Sequence, residues 1–130
     1  MTTPTVRFRI DFGRDAAVGP GKIALLEHIE RSGSLSQAAR DLKMSYRRAW
    51  LLLDSLNNSF EGRLANTSIG GRKGGGACLT PLGRALILAY RRFEVTLQSQ
   101  VQRRFNAFSC RLRQVPELSG KAPRVRLSAR

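Results

Sequence analysis

The sequence predicts a mainly α-helical fold with a small antiparallel β-sheet, and three features carry that expectation. Ser34 and Ser45 each stand at the start of an apolar-periodic segment, so two helices follow one another across a brief turn. The glycine-rich basic segment "IGGRKGGGACLT" (69–80) then lies between two short apolar stretches, as the tip of a hairpin would. Finally, Thr80 and Pro81 open a segment whose apolar residues keep helical register as far as Phe108. Two closely joined helices followed directly by a hairpin, or wing, predict a winged helix-turn-helix with a long C-terminal helix.

In chain order, "TVRFRIDF" alternates, with Val6, Phe8 and Ile10 on one side and Arg7, Arg9 and Asp11 on the other. Period 2 predicts a half-buried strand completing the small sheet. "GRDAAVGPGK" breaks it with glycine and proline. Gly21 to Arg31 reads as an amphipathic helix burying Leu25, Leu26 and Ile29, stopped by Gly33. Ser34 caps the next helix, with Gln37 placed to close a capping box, and Ala38 and Ala39 permit close approach of another helix. After Lys43 and Met44, Ser45 caps "YRRAWLLLDSLNNSF", where Ala49, Leu52 or Leu53, Leu56 and Phe60 recur at helical spacing. Trp50 faces another side, and its size favours core or interface packing over a base contact. "LANTSI" (64–69) and "ACL" (77–79) form the hairpin strands.

On the last helix Leu82, Leu86, Tyr90, Phe93, Leu97, Val101, Phe105 and Phe108 approximate a heptad seam about 40 Å long. A domain of this size does not need that length to cover its own core. The outer half is therefore expected to pack on a second copy, with Leu86, Tyr90, Phe93, Leu97, Val101 and Phe105 at the dimer interface. A helix frayed beyond Gln98 is the alternative. The chain divides into residues 1–110, with the dimerisation helix at about 81–108, and a basic linker or disordered tail over 111–130.

Charge narrows the function classes. The 130 residues carry 23 Lys+Arg against 9 Asp+Glu, a net +14, which is tolerated where a polyanion neutralises it. Nucleic acid is the first candidate partner and an anionic membrane surface the second. No apolar run approaches the roughly 20 residues that span a bilayer, and the N-terminus lacks a signal-peptide pattern, so a cytoplasmic setting is expected. Cys78 and Cys110 supply neither a disulfide framework nor a zinc set and are expected as buried or half-buried thiols. His28 has no metal partner nearby, and no acid pair or nucleophile–base constellation is visible. The expectation is a protein that is not an enzyme and holds no metal or cofactor.

The chemistry that remains is recognition of double-stranded DNA. The second helix of such a pair enters the major groove with its first turn at the bases, which places Ser45, Tyr46, Arg47 and Arg48 there. Arg47 and Arg48 suit paired hydrogen bonds to guanine, and Tyr46 suits a sugar or a thymine methyl. Ser45 divides between capping and a phosphate. Ser34, Ser36, Gln37 and Lys43 border the groove as phosphate contacts. In the wing, a backbone without side chains approaches the phosphodiester chain or a minor groove while Arg72 and Lys73 supply cations. A nucleotide-cradling loop fails because a strand, not a helix, follows, and no Ser/Thr follows Lys73.

"SLSQAARDLKMSYRRAWLLLDSLN" followed by "GGRKGGGACLTPLGRALI" resembles the N-terminal DNA-binding domain of the ModE family, molybdate-responsive bacterial transcription regulators with a LysR-type-like module. The resemblance covers most of residues 5–108. It implies a dimer joined through the long helix, a palindromic site, and DNA contacts at Ser45, Tyr46, Arg47 and the wing. It also implies paired molybdate-binding Mop domains, which are not expected within these 130 residues. Only Ser128, Ala129 and Arg130 resemble the start of the family's oxyanion-binding stretch, so molybdate binding is not expected from this chain alone. The implied function is sequence-specific regulation of molybdenum-related genes; the alternative is a non-specific nucleic-acid-binding protein, architectural or RNA-associated.

Overall fold

The cap residues set the element boundaries in the computed structural model, which describes residues 2–68 and 76–113. Helix α1 (Pro20–Ser32) starts on a proline and ends at Gly33, whose left-handed φ of 70° lets its N–H reach the Ile29 carbonyl. Helix α2 (Leu35–Asp41) is capped by the Ser34 hydroxyl accepting from Gln37 N. Helix α3 (Tyr46–Ser59) is capped by Ser45 accepting from Arg48 N. The capping box itself does not form. Gln37 spends its amide on Asp41 and Arg40 within its own helix, while Ser34 N donates to Ser32 Oγ.

The turn between α2 and α3 contains Lys43 at φ 56°, the left-handed region where glycine is the usual occupant. Its N–H donates to Arg40 O, and that of Met44 to Ala39 O, so the turn's backbone is satisfied locally. Ala38 and Ala39 are buried, as the close helix approach requires. The core gathers Ile23, Leu25, Leu26 and Ile29 of α1, Leu35 of α2, and Ala49, Leu53 and Leu56 of α3. The wing strands β3 (Ala65–Thr67) and β4 (Ala77–Leu79) close it from below with Leu64, Ala65, Ala77 and Leu79.

The N-terminal segment departs from expectation. The alternation is correct, since Val6, Phe8 and Ile10 are half-buried and Arg7, Arg9 and Asp11 exposed. However, the strand proper, β1, is only Ile10–Gly13, and it pairs antiparallel with a second strand, β2 (Ala16–Val18). Arg14 and Asp15 both adopt positive φ, the backbone twist of a tight hairpin. The segment read as a break is thus half a hairpin. This pair forms its own two-stranded sheet and does not complete that of the wing.

Residues before β1 lie along helix α4 (Pro81–Ser109), which has 29 residues and is about 43 Å long. Val6 N donates to the Gln98 amide oxygen at 2.9 Å, and Gln98 Nε2 donates to Pro4 O at 2.8 Å. Phe8 stacks on Tyr90, whose hydroxyl donates to the Phe8 carbonyl at 2.7 Å. The helix continues without a break beyond Gln98.

Helix α4 is tied to α1 by a forked pair. Arg91 donates through Nε and Nη2 to both Glu27 oxygens at 3.0 and 2.6 Å, and through Nη1 to Glu94 at 2.8 Å. The Arg91 hydrogen bond, outweighing burial, holds the Glu27 carboxyl below its ordinary 4.5. A carboxyl with a depressed folded value stabilises above the unfolded value and loses that contribution as pH falls through the folded one. Stability is therefore expected to decline on acidification below about pH 4.5. Glu27→Gln should flatten that acid limb in thermal melts followed by circular dichroism.

Candidate nucleic-acid interface

Seven buried or half-buried residues of α3 face the core, which leaves the opposite side of the helix to solvent. Tyr46, Arg47, Arg48, Trp50, Leu51 and Asp54 are all exposed. Tyr46 retains 54% of its surface. Among the described residues neither the Arg47 nor the Arg48 guanidinium makes an ion pair or hydrogen bond, and Lys43 makes no ion pair. Several of the acids are engaged elsewhere. Glu27, Glu30 and Glu94 are engaged by Arg84 and Arg91 on the α1–α4 side, and Asp11 by Arg9. The cations at the front of α3 are left without local neutralisation, which favours a polyanion there.

Ser36 and Gln37 are half-buried on α2, Lys43 is exposed in the turn, and Ser45 is exposed but already caps its own helix. Arg72 and Lys73 lie outside the described residues, as do Ser128, Ala129 and Arg130. The base of the hairpin is defined. Ser68 N donates to Gly76 O at 2.8 Å, Gly76 N to Ser68 Oγ at 3.2 Å, and Ala77 N to Gly33 O at 2.9 Å. The last of these fixes the wing to the C-cap of α1, beside the start of α2.

Asn57 was not singled out by sequence. Its side chain works as a strand edge: Oδ1 accepts from Leu64 N at 2.8 Å and Nδ2 donates to Ala65 O at 3.2 Å. The wing is thereby anchored to the helix that carries Arg47 and Arg48. An asparagine near a helix end is ordinarily a capping signal, so nothing local marks this role.

No protein-family model matches the sequence. Individual relatives do. The molybdenum transport protein ModE of Azotobacter vinelandii is 39% identical over 97 residues, 75% of this chain and 36% of that protein. The DNA-binding transcriptional dual regulator ModE of Escherichia coli K12 is 45% identical over 71 residues, 55% of this chain and 27% of that protein. The molybdenum-pterin-binding protein MopB of Rhodobacter capsulatus is 44% identical over 75 residues, 58% and 28% of the respective chains.

The chain is a relative of the ModE proteins. It spans about a third of the length of the ModE proteins and their Mop-named relatives that it matches. The resemblance first seen in the recognition-helix and wing-junction residues is thus supported across most of the described fold.

Within the fold itself, three sequence expectations change. Tyr90, assigned to the dimer seam by its register, is 2% exposed and belongs to the protomer's own core, because the N-terminal segment crosses α4 there. Of the two packing roles expected for Trp50, the core is excluded: it is 47% exposed, since the α3 positions that face inward are Ala49, Leu53 and Leu56. Cys78 and Cys110 are exposed rather than buried. For Cys78 the cause is alternation, because its neighbours Ala77 and Leu79 take the inward positions of β4.

The remaining seam positions divide. Leu86 packs against the core, Leu97 and Val101 are half-buried, and Phe93 is exposed but contacts Phe8 edge-on. Phe105 and Phe108 are 51% and 62% exposed, with ring centroids 6.1 Å apart. Leu88 and Val95, seven positions apart and outside the seam's register, are also exposed. Among the described residues no group of three or more His, Cys, Asp or Glu could hold a metal ion. No helix there is long and apolar enough to cross a membrane.

Proposed function

We propose that this chain is the double-stranded DNA-binding module of a ModE-type transcription regulator, acting in the cytoplasm as a homodimer at molybdenum-related genes. The observation that carries the reading is the exposed, unneutralised front of α3, held on a capped helix-turn-helix. That first turn enters the major groove, where Arg47 and Arg48 reach guanine edges and Tyr46 a sugar or thymine methyl. Ser36, Gln37, Lys43 and Ser45 lie against phosphates, and Arg72 and Lys73 of the wing grip the backbone or a minor groove. Residues 1–110 form the binding and dimerising unit, and 111–130 a basic linker.

Dimerisation follows from α4. Leu97, Val101, Phe105 and Phe108 present apolar surface that the described protomer does not cover. A second copy buries it in a symmetric interface and sets two α3 helices at a fixed spacing. Selection of bound duplexes from a random pool tests the function. Recovered sequences should share a palindrome whose half-sites are one helical turn, about 34–36 Å, or a multiple apart. A pool recovered without any consensus would identify a non-specific nucleic-acid binder instead.

A further inference from the structure

The solvent face of α3 does not end with its arginines. Trp50 and Leu51, 47% and 51% exposed, sit one turn further along the same face. Trp50 is four residues after Tyr46 and three after Arg47, and Leu51 is four after Arg47 and three after Arg48, the spacings of helix-surface neighbours. Ser45, Arg47, Arg48, Leu51 and Leu52 line one shallow hollow, so Leu51 shares it with both unpaired cations. Asp54, a turn further on, is bonded by Asn58 and closes the apolar ledge.

A large indole and a leucine are costly to leave in water, and burying them is worth more than their contacts with solvent. Their cationic surroundings decide the occupant. Two guanidiniums that make no ion pair among the described residues oppose an ordinary apolar protein surface and favour a polyanion. Within the major groove the one apolar group presented at a base edge is the thymine 5-methyl.

We infer that Trp50 and Leu51 are specificity residues that select thymine by packing on its 5-methyl group, inward of the positions contacted by Arg47 and Arg48. This rests on the proposed insertion of α3 into duplex DNA. The arginines then position the helix and read guanine, while the ledge below them rejects cytosine, whose edge lacks the methyl.

The test uses the full chain and its selected duplex, replacing each thymine in turn by deoxyuridine, which removes only the methyl. Affinity should fall about fourfold at one or two positions per half-site, the value of one buried methyl-sized group. The Trp50→Ala and Leu51→Ala variants, at exposed positions and checked for folding by circular dichroism, should bind thymine and deoxyuridine duplexes equally at those positions. If the unaltered chain binds its consensus but no deoxyuridine replacement weakens it, the inference is overturned while the DNA reading stands. Equal losses in the unaltered chain and both variants would also overturn it, by placing the methyl contact elsewhere. If no consensus is recovered, the DNA reading fails first and the inference falls with it.

Discussion

Gly83→Ala should lower stability by about 3 kcal/mol and the melting temperature by more than about 10 °C. Gly83 is buried in the first turn of α4, where its N–H donates to the Thr80 hydroxyl at 3.1 Å. A Cβ built there falls far inside van der Waals contact with the Leu64 carbonyl oxygen, and further contacts follow with that residue's C and Cα. The obstacle is backbone, not a side chain that can swing away. That same carbonyl accepts from Thr80 N at 3.0 Å, and Leu64 N is held by Asn57, so the strand cannot retreat without breaking both bonds. Gly21→Ala is the control. Gly21 has open space around it in the first turn of α1, and alanine there should be neutral or raise stability by a few tenths of a kcal/mol. An unchanged melting temperature for Gly83→Ala would show that α4 does not cross the wing base this closely.

Val101→Glu combined with Phe105→Glu should convert a dimer to a monomer and cost about a hundredfold or more in duplex affinity. Neither residue belongs to the protomer's core, so the fold should survive the change. In a dimer each copy would contribute both side chains, and each buried side chain is worth about 1.5–3 kcal/mol. Four buried glutamates without partners would oppose association further. Losing the dimer also severs the link between half-sites, and linked binding commonly exceeds single-site affinity by about 10²–10⁴. Sedimentation velocity at micromolar concentration reads the first effect and fluorescence anisotropy on the selected duplex reads the second. An intact dimer in this variant would move the interface elsewhere, with Leu88 and Val95 as the next exposed apolar positions.

Much of the architecture is legible because helix ends obey local chemistry. Ser34, Ser45 and Thr80 accept from the N–H groups that the rules assign them, and Gly33 ends α1. The wing strand Ala77–Leu79 also follows from its short apolar run between glycines and Thr80. What escaped the sequence depends on contacts between distant residues or on departures from residue preference. Tyr90 is buried because Phe8, 82 positions away, crosses it. Strand β2 was hidden because Arg14 and Asp15, not glycines, occupy the positive-φ positions of its turn. Sequence left Trp50 between core and interface because a large aromatic is ordinarily covered; only the structure shows that it stands on the face that the core leaves open. The front of α3 stands out as a candidate site because serine, tyrosine and two arginines occupy one first turn; that its arginines make no ion pair became visible only in the structure, where Glu27, Glu30 and Glu94 are engaged elsewhere.

The measurement that bears most directly on the central proposal is the ratio of affinities for the selected duplex and a random one, taken for the unaltered chain and for Arg47→Ala. The side chain is exposed and unpaired, so folding should be unaffected. Loss of a paired contact to guanine is worth about 1–3 kcal/mol of discrimination, so the ratio should collapse by about ten- to a hundredfold while random-duplex affinity changes little. An equal loss of affinity on both duplexes would mean that Arg47 meets only phosphate, and that the front of α3 does not read sequence.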